Sequence, residues 1–404
     1  MMEKVYIVGA KRTPIGSFLG SLKSVSAVKL ASLAIRGALE QAQVQSTDVT
    51  EVILGNVLST GLGQGIARQA AIGAGLSIDV PAYSLNMVCG SGLKAVANGM
   101  SMIQSGLAQA VVTGGTESMS NAPFLVDGHI RSGRKMGHMN FTDSMLHDGL
   151  TDAFEGYHMG ITAENVAREF GISRGEQDQF AIRSQEKAII AQDSGKFADE
   201  IVPVVVETRA GVEEVAEDEY INRTTTLEKM TNLRPVFKAD GTVTAANASG
   251  LNDGASAIIL ASGQLAAAQQ LPIMAEVIAI GQGGVDPSVM GIGPVPAIKK
   301  ALEVANLTLA DIDLFELNEA FAAQSLAVMN ELAAESGESV ETLSERMNVN
   351  GGAIALGHPI GASGNRILVT LLYELKRRSL TYGLASLCIG GGMGLAVIIK
   401  NVED

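Results

Sequence analysis

Only two cysteines, Cys89 and Cys388, occur in 404 residues. Two thiols cannot build the framework of a disulfide-stapled secreted domain, nor a zinc site made of cysteine alone. No Cys-x-x-Cys pair is present, so nothing resembles a dithiol redox motif. Positive charge is also short. Lys and Arg number 29 against 43 Asp and Glu, a net charge of -14 at pH 7. Such a chain has no overall basic field for the phosphates of a nucleic acid, although a local basic patch stays open. Long apolar runs are missing too: none reaches the roughly 18 residues of a membrane helix. Met1 to Ala10 reads as a short strand followed by Lys11-Arg12, not as a signal peptide. Asn401-Val-Glu-Asp404 is not the peroxisomal address. The expected compartment is the cytoplasm.

What is present describes a globular chain. Hydrophobic residues are 47% and charged residues 18%, and the length allows two or three domains with substantial cores. Glycine is abundant, at 46 residues, and much of it sits in short clusters. One cluster organises the rest: Asn86-Met-Val-Cys89-Gly-Ser-Gly-Leu-Lys-Ala95. The apolar run Pro81 to Val88 predicts a strand that delivers Cys89. Leu93, Val96, Ala97, Met100 and Ile103 then fall on one face of a helix. A cysteine at a strand-to-helix turn meets free backbone N–H groups and the positive end of the helix dipole. Both favour a thiolate. A small buried cysteine at a tight turn is the plainer reading.

Along the chain, strands alternate with helices. Strands are predicted at 4–10, 52–57, 108–113, 274–282 and 313–317. Helices are predicted at 26–43, 65–73, 297–306, 319–333 and 363–377. The stretch 253–260 reads as helix or strand, 350–357 as strand and loop, and 336–346 as an acidic, helix-prone segment. Two strands at 383–390 and 394–400 flank a glycine turn and predict a hairpin. Between Met119 and about Val243 the alternation gives way to turns, charges and methionines, with helical pattern only at 162–170 and 175–193. An acidic cluster at 211–219 reads as a surface loop or hairpin. Gly128 to Met139 is locally basic, either a plain exposed loop, an intersubunit loop or a phosphate contact. A weak repeat is visible as well. Asp48-Val-Thr-Glu-Val-Ile-Leu-Gly55 resembles Asp311-Ile-Asp-Leu-Phe-Glu-Leu-Asn318, and each is followed by a glycine-rich turn into a helix. These patterns imply an α/β fold of two similar halves with an insertion in the first.

Four of the five histidines lie in the middle region. The fifth, His358, sits in Asn350-Gly-Gly-Ala-Ile-Ala-Leu-Gly-His-Pro-Ile-Gly-Ala-Ser-Gly364. Packing alone does not account for such a glycine-dense loop around one histidine. A nucleophilic cysteine needs a base, and histidine is the usual one. Asn318-Glu-Ala-Phe321 is read as the start of a helix whose Asn318 amide could fix a water or an oxygen. Cys388-Ile-Gly-Gly-Gly-Met-Gly394 adds a second thiol and exposed backbone amides able to stabilise an oxyanion.

These four motifs resemble those of the thiolases, most closely the biosynthetic, short-chain kind. Tyr157-His-Met-Gly-Ile-Thr-Ala-Glu-Asn165 and Thr242-Val-Thr-Ala-Ala-Asn-Ala-Ser-Gly-Leu-Asn-Asp-Gly254 match as well, and the resemblance covers essentially the whole chain. It implies the thiolase fold: two β-α-β-α-β-α-β-β halves in a layered αβαβα core with a loop domain inserted in the first. The expected division is 1–118 completed by about 244–270, an insertion at 119–243, and a second half at 271–404. It implies a two-step acyl transfer. Cys89, activated by His358, takes an acetyl group from acetyl-CoA; Cys388 removes the α-proton of a second acetyl-CoA; the carbanion attacks the Cys89 thioester and gives acetoacetyl-CoA. One oxyanion hole would use His358 with a water held by Asn318, the other the backbone amides of Cys89 and Gly390.

The resemblance also places substrate contacts. Ala248 and Ser249 would meet the pantetheine arm. Leu150, His158, Met159, Phe237, Met290, Ala320 and Phe321 would line the channel and acyl pocket, with Met159 crowding it to a two-carbon group. Relatives often carry a basic residue where Asn222 stands, which leaves Arg223 as a neighbouring candidate for the CoA nucleotide. Coenzyme A and acetyl-CoA are substrates, and no metal or cofactor is implied. A homotetramer, a dimer of tight dimers joined partly by the 128–139 loop, is expected. The alternatives are a degradative 3-ketoacyl-CoA thiolase of broader chain length and a non-catalytic acyl-CoA-binding protein of the same fold. A decarboxylating ketoacyl synthase fits less well, because such enzymes pair a cysteine with two histidines.

Overall fold

The computed structural model describes residues 3–209 and 211–402. Met1, Met2, Glu403 and Asp404 lie outside the described residues, and with them the end of the terminal tetrapeptide. The first half supplies strands β1 (Val5–Arg12), β2 (Gly16–Ser17), β3 (Val49–Gly55), β4 (Ala82–Leu85) and β5 (Ala110–Ser118). Helices α1 (Ala27–Ala42), α2 (Ile66–Ala74) and α3 (Ser91–Gln104) alternate with them. Local chemistry sets the bounds of α1: the Ser26 side chain accepts from Lys29 N–H, and Gln43 closes the last turn at a φ of 56°.

The chain then leaves the sheet. It forms the hairpin β6 (Phe124–Val126) and β7 (Phe141–Asp143), helices α4 (Met159–Glu169) and α5 (Arg174–Asp193), the hairpin β8 (Val204–Thr208) and β9 (Gly211–Val215), and the short α6 (Leu227–Thr231). The β8–β9 pairing resolves the acidic cluster as a hairpin. The chain re-enters the sheet at β10 (Asn252–Ser262), which settles that stretch as strand. After it come α7 (Gly263–Gln269), β11 (Ala275–Gly284), α8 (Pro294–Ala305) and β12 (Leu314–Leu317). The last elements are α9 (Ala322–Ser336), α10 (Val340–Arg346), α11 (Ala353–Leu356), α12 (Ile360–Arg378), β13 (Tyr382–Ile389) and β14 (Met393–Asn401).

The repeat is structural. In the first half the strands lie in the order β4-β3-β5-β10-β1. In the second the order is β12-β13-β14-β11, and Met347 makes a parallel bridge to Phe315 on the outer side of β12. The Met347 bridge therefore takes the place of β4. Strand directions agree as well: β3 is parallel to β4 and β5, as β12 is to Met347 and β13, and the remaining pairs are antiparallel. The halves join where β1 pairs with β11.

Side-chain alternation sorts each strand onto two cores. Ile258 and Leu260 of β10, with Leu395, Val397 and Ile399 of β14, face a central core that also holds α3 and α12. Ala257 and Ile259 face an outer core with α1 and α2, and Ala396 and Ile398 face another with α8 and α9. Three cores between five layers give the αβαβα arrangement. Helices α3 and α12 cross in the middle layer at two glycines. A Cβ on Gly92 would fall 2.8 Å from the Asn365 nitrogen, and one on Gly364 2.8 Å from the Leu93 nitrogen. Only glycine permits this approach.

Several boundaries differ from the sequence reading. The strand before Cys89 stops at Leu85, because the Asn86 side chain accepts from Val88 N–H and starts a turn. β5 runs through Gly114-Gly115 to Ser118, since β10 pairs with it throughout. Asn318 to Phe321 is not helical. Ser249 N–H donates to Ala320 O and Ala322 N–H to Asn247 O, which holds the segment extended until α9 begins at Ala322. The region 350–357 is a turn followed by α11, not a strand.

Candidate active site

Four helices begin at one place. Their N-caps are Gly90 for α3, His158 for α4, Phe321 for α9 and Pro359 for α12. Cys89, His158, Met159, Ala320, Phe321 and His358, at or beside those caps, line one cavity of about 520 Å³. Leu150, Phe237, Ala248, Ser249, Met290 and Gly390 complete the expected part of its wall. Helix N-termini present unpaired N–H groups and a positive field, so the site favours charge that develops as an anion.

Cys89 sits on a strained elbow. Val88 before it has a φ of 47°, a conformation a β-branched residue rarely adopts. The elbow is pinned from both sides. Ser91 Oγ donates to Val88 O at 2.7 Å and accepts from Met87 N–H at 2.8 Å, while Asn86 Oδ1 takes Val88 N–H at 2.9 Å. Burial pushes the Cys89 thiol up to about 11. The backbone N–H groups of Gly390 and Cys89 pull it partly back, and Glu117 adds to the rise. The helix end alone predicts a thiolate here. Desolvation outweighs the helix end, and the resting group is the thiol.

His358 is 7% exposed, and its loop is fixed at both ends. Its backbone N–H donates to Asn252 Oδ1 at 2.8 Å, and Asn252 Nδ2 donates to Gly16 O at 3.0 Å. Its Nδ1 lies 2.6 Å from Ser363 Oγ. Burial, and then the Arg366 guanidinium, lower its pKa to about 4, so the ring is neutral near pH 7. The start of α12 is tied to the first half by Glu117. That carboxylate accepts from Gly361 N–H at 2.9 Å, Val57 N–H at 3.1 Å, Leu58 N–H at 3.0 Å and Asn56 Nδ2 at 2.9 Å. Burial nonetheless pushes its pKa up to about 7.

Cys388 and Asn318 lie behind the cavity wall. Cys388 is fully buried against a cluster with Met159, Ala248, Met290 and Phe321. Its thiol is raised by burial and further by Cys89, which acts on it directly. Asn318 is buried, and neither its Nδ2 nor its Oδ1 has a hydrogen-bond partner among the described residues. A buried amide with both ends free is poised to hold a water or a substrate oxygen. Its neighbour Glu319 fixes the surroundings by accepting from Ser184 Oγ at 2.6 Å and Asn348 Nδ2 at 2.8 Å.

The aromatic wall is ordered. His158 stacks on Phe237 with centroids 4.5 Å apart, and Phe237 meets Phe321 edge-on at 6.4 Å. Met159 faces Gly390: a Cβ there would lie 3.6 Å from its sulphur. Arg223 stands apart. It is exposed, pairs with Asp193 at 2.6 Å, and does not line the cavity. Sequence reasoning missed Val88, Leu146, Tyr220 and Thr244 in the wall, and Asn252, Glu117 and Ser363 behind it. Asn252 and Ser363 lie inside motifs already singled out; Glu117 carries no local signal.

Comparison with known proteins decides the family. The model for "Thiolase, N-terminal domain" matches residues 5–264, and that for "Thiolase, C-terminal domain" matches 271–401. The chain belongs to the thiolase family. This thiolase is 53% identical to an Escherichia coli (strain K12) protein named acetyl-CoA acetyltransferase, with both chains fully covered. It is 51% identical to a Rattus norvegicus protein named cytosolic acetyl-CoA acetyltransferase, over 99% of this chain and 98% of the relative. Its structure resembles that of human mitochondrial 3-ketoacyl-CoA thiolase with a TM-score of 0.94 and 44% identity, over 99% of each chain. Among the described residues, no helix of this thiolase is long and apolar enough to cross a membrane.

Proposed function

We propose that this thiolase is an acetyl-CoA C-acetyltransferase, condensing two acetyl-CoA to acetoacetyl-CoA and CoA through an acetyl-cysteine at Cys89. The observation that carries this is the meeting of Cys89, His358 and the Gly390 N–H on one cavity, with Cys388 directly behind it. The names of full-length relatives support it.

His358 Nε2 takes the Cys89 proton as the sulphur attacks the first thioester. The leaving CoA sulphur takes its proton from Cys388, which becomes a thiolate. Burial makes that thiolate a strong base. It removes the α-proton of the second acetyl-CoA, and the carbanion attacks the Cys89 thioester. As Cys89 leaves, it recovers its proton from His358. Backbone N–H groups of Cys89 and Gly390 stabilise one oxyanion; His358 and a water on Asn318 stabilise the other. The CoA thioester supplies the activation, so this route uses no cofactor or metal.

Met159, with the His158–Phe237–Phe321 wall, limits the acyl end to two carbons, and Ala248 and Ser249 meet the pantetheine arm. Two features favour a homotetramer. The edge strand β4 has no partner on its outer side among the described residues. The basic segment 128–139 lies beside a β6–β7 hairpin that exposes Phe124 and Phe141. A monomer by light scattering would sink that assembly. The same reading divides the chain at about 118, 243 and 270 and assigns it to the cytoplasm, as the name of the rat relative does for that protein.

The deciding experiment is thiolysis of a chain-length series from acetoacetyl-CoA upward, with wild-type enzyme and Cys89→Ala. Sharp preference for four carbons, abolished in the variant, supports the assignment. Comparable rates on long chains move it to a broad-range degradative thiolase. No turnover of any substrate leaves an acyl-CoA-binding protein.

A further inference from the structure

His358 has two ring nitrogens, and the chemistry above needs one of them to take and return a proton. Which one is free is decided by the partner of the other. That partner is Ser363, 1% exposed and one turn into α12. Its Oγ lies 2.6 Å from His358 Nδ1 and 2.9 Å from the Pro359 carbonyl oxygen. A hydroxyl carries one proton, and a carbonyl can only accept. Ser363 therefore donates to Pro359 and turns a lone pair to the ring. A hydrogen bond at 2.6 Å then requires the ring proton on Nδ1. Nε2 makes no protein hydrogen bond among the described residues, and His358 lines the cavity that Cys89 lines. The ring cannot slide, because Asn252 holds the His358 backbone N–H from the other side.

We propose that Ser363 is a positioning residue that confines the proton traffic of His358 to Nε2. The proposal rests on the acyl-transfer reading above. With Nδ1 always protonated, the neutral ring offers the Nε2 lone pair to the Cys89 proton. Once that proton has moved, the same Nε2 carries an N–H and becomes a donor for the thioester oxygen of the next step. Ser363 accepts from Nδ1 in both states, so neither the ring nor the hydroxyl has to turn over during the cycle. A base in one half-reaction thereby becomes an oxyanion donor in the other with no rearrangement. Without the hydroxyl, the ring is free to take the opposite tautomer, in which Nε2 is protonated from the start and cannot accept from Cys89.

The tautomer is read directly by ¹⁵N NMR of histidine-labelled wild-type protein, with His358→Gln assigning the signal. An Nδ1–H, Nε2-bare ring near pH 7 is expected; an Nε2–H ring overturns the proposal. This readout does not depend on turnover, so it stands apart from the assignment of substrate. The second arm is kinetic. Ser363→Ala is expected to lower kcat for thiolysis about 10- to 100-fold, part of the roughly 10²–10⁴ that a positioned acid–base group supplies. KM should stay within about threefold, and Cys89 alkylation by iodoacetamide near pH 7 should slow in parallel. Ser363→Thr keeps the hydroxyl and should restore most of both. Wild-type kcat and alkylation in Ser363→Ala overturn the proposal. So does a Ser363→Thr protein as impaired as Ser363→Ala, because that points to packing and not to the hydroxyl.

Discussion

The backbone N–H of Gly390 points at the sulphur of Cys89 and lowers its pKa against the effect of burial. The two residues come from opposite halves of the chain. In the proposed acyl transfer, the N–H that would hold a thiolate would also hold the oxygen of a thioester bound to that sulphur. With the thiol still held at about 11, only about one Cys89 in a thousand or fewer is ionised at pH 8. In His358→Ala, iodoacetamide labelling of Cys89 should therefore rise about tenfold per pH unit between pH 7 and 9, with no plateau. The wild type should react faster near neutrality, because His358 takes the proton. A plateau below pH 8 in the variant would mean that the sulphur is ionised at rest.

His358 links the site to stability. Its pKa is lowered from 6.5 to about 4 in the fold. Below 6.5 the unfolded chain binds a proton that the folded chain refuses. The stabilisation is complete above pH 6.5 and is lost as pH falls towards 4, by roughly 3 kcal/mol over that window. Urea unfolding between pH 4.5 and 7.5 should show a shallower loss for His358→Gln than for the wild type.

The crossing of α3 and α12 sets the distance between the two N-termini that carry Cys89 and His358. Gly364→Ala would push a methyl against the Leu93 backbone nitrogen, which cannot move aside like a side-chain tip. Overpacking of this kind costs about 1–3 kcal/mol. The expected result is a lower urea midpoint together with slower Cys89 alkylation. A fully stable, fully reactive variant would show that the crossing does not set the site.

Asn318 separates function from stability. Its side chain makes no hydrogen bond among the described residues, so Asn318→Ala should change unfolding free energy by less than about 1 kcal/mol. If the amide holds an oxyanion water, kcat should still fall about 10²- to 10³-fold. Equal losses in stability and turnover would contradict that role.

Met159 should set chain length. Met159→Ala opens the space beside Gly390. The ratio of kcat/KM for a six-carbon over a four-carbon 3-ketoacyl-CoA should rise at least about tenfold, in keeping with roughly 1–3 kcal/mol per methylene in a pocket. An unchanged ratio would place the limit elsewhere.

Much of this was legible in the sequence. The alternation of strands and helices, the repeat between 48–55 and 311–318, and the glycine-dense turns around Cys89 and His358 follow from periodicity and turn chemistry. Those signals are local. The neighbourhood of each helix start is readable to within about three residues from periodicity and glycine-dense turns, although only the His158 cap has a side-chain bond, and four such starts make the cavity.

The chain alone did not determine which starts meet, or what the meeting does to each group. The helix end that favours a Cys89 thiolate is a local feature, whereas the packing that desolvates the thiol, with Val57, Leu58, Met119, Met145 and Ile360, comes from several separate elements. Arg223 pairs with Asp193 on α5, a partner that no pattern around residue 223 announces. Glu117 carries no local signature, because its four donors come from residues 56–58 and 361. Sequence thus determined the elements and the reactive residue types. Tertiary structure decided their protonation and their partners, because desolvation and hydrogen bonding depend on neighbours brought from other elements of the fold.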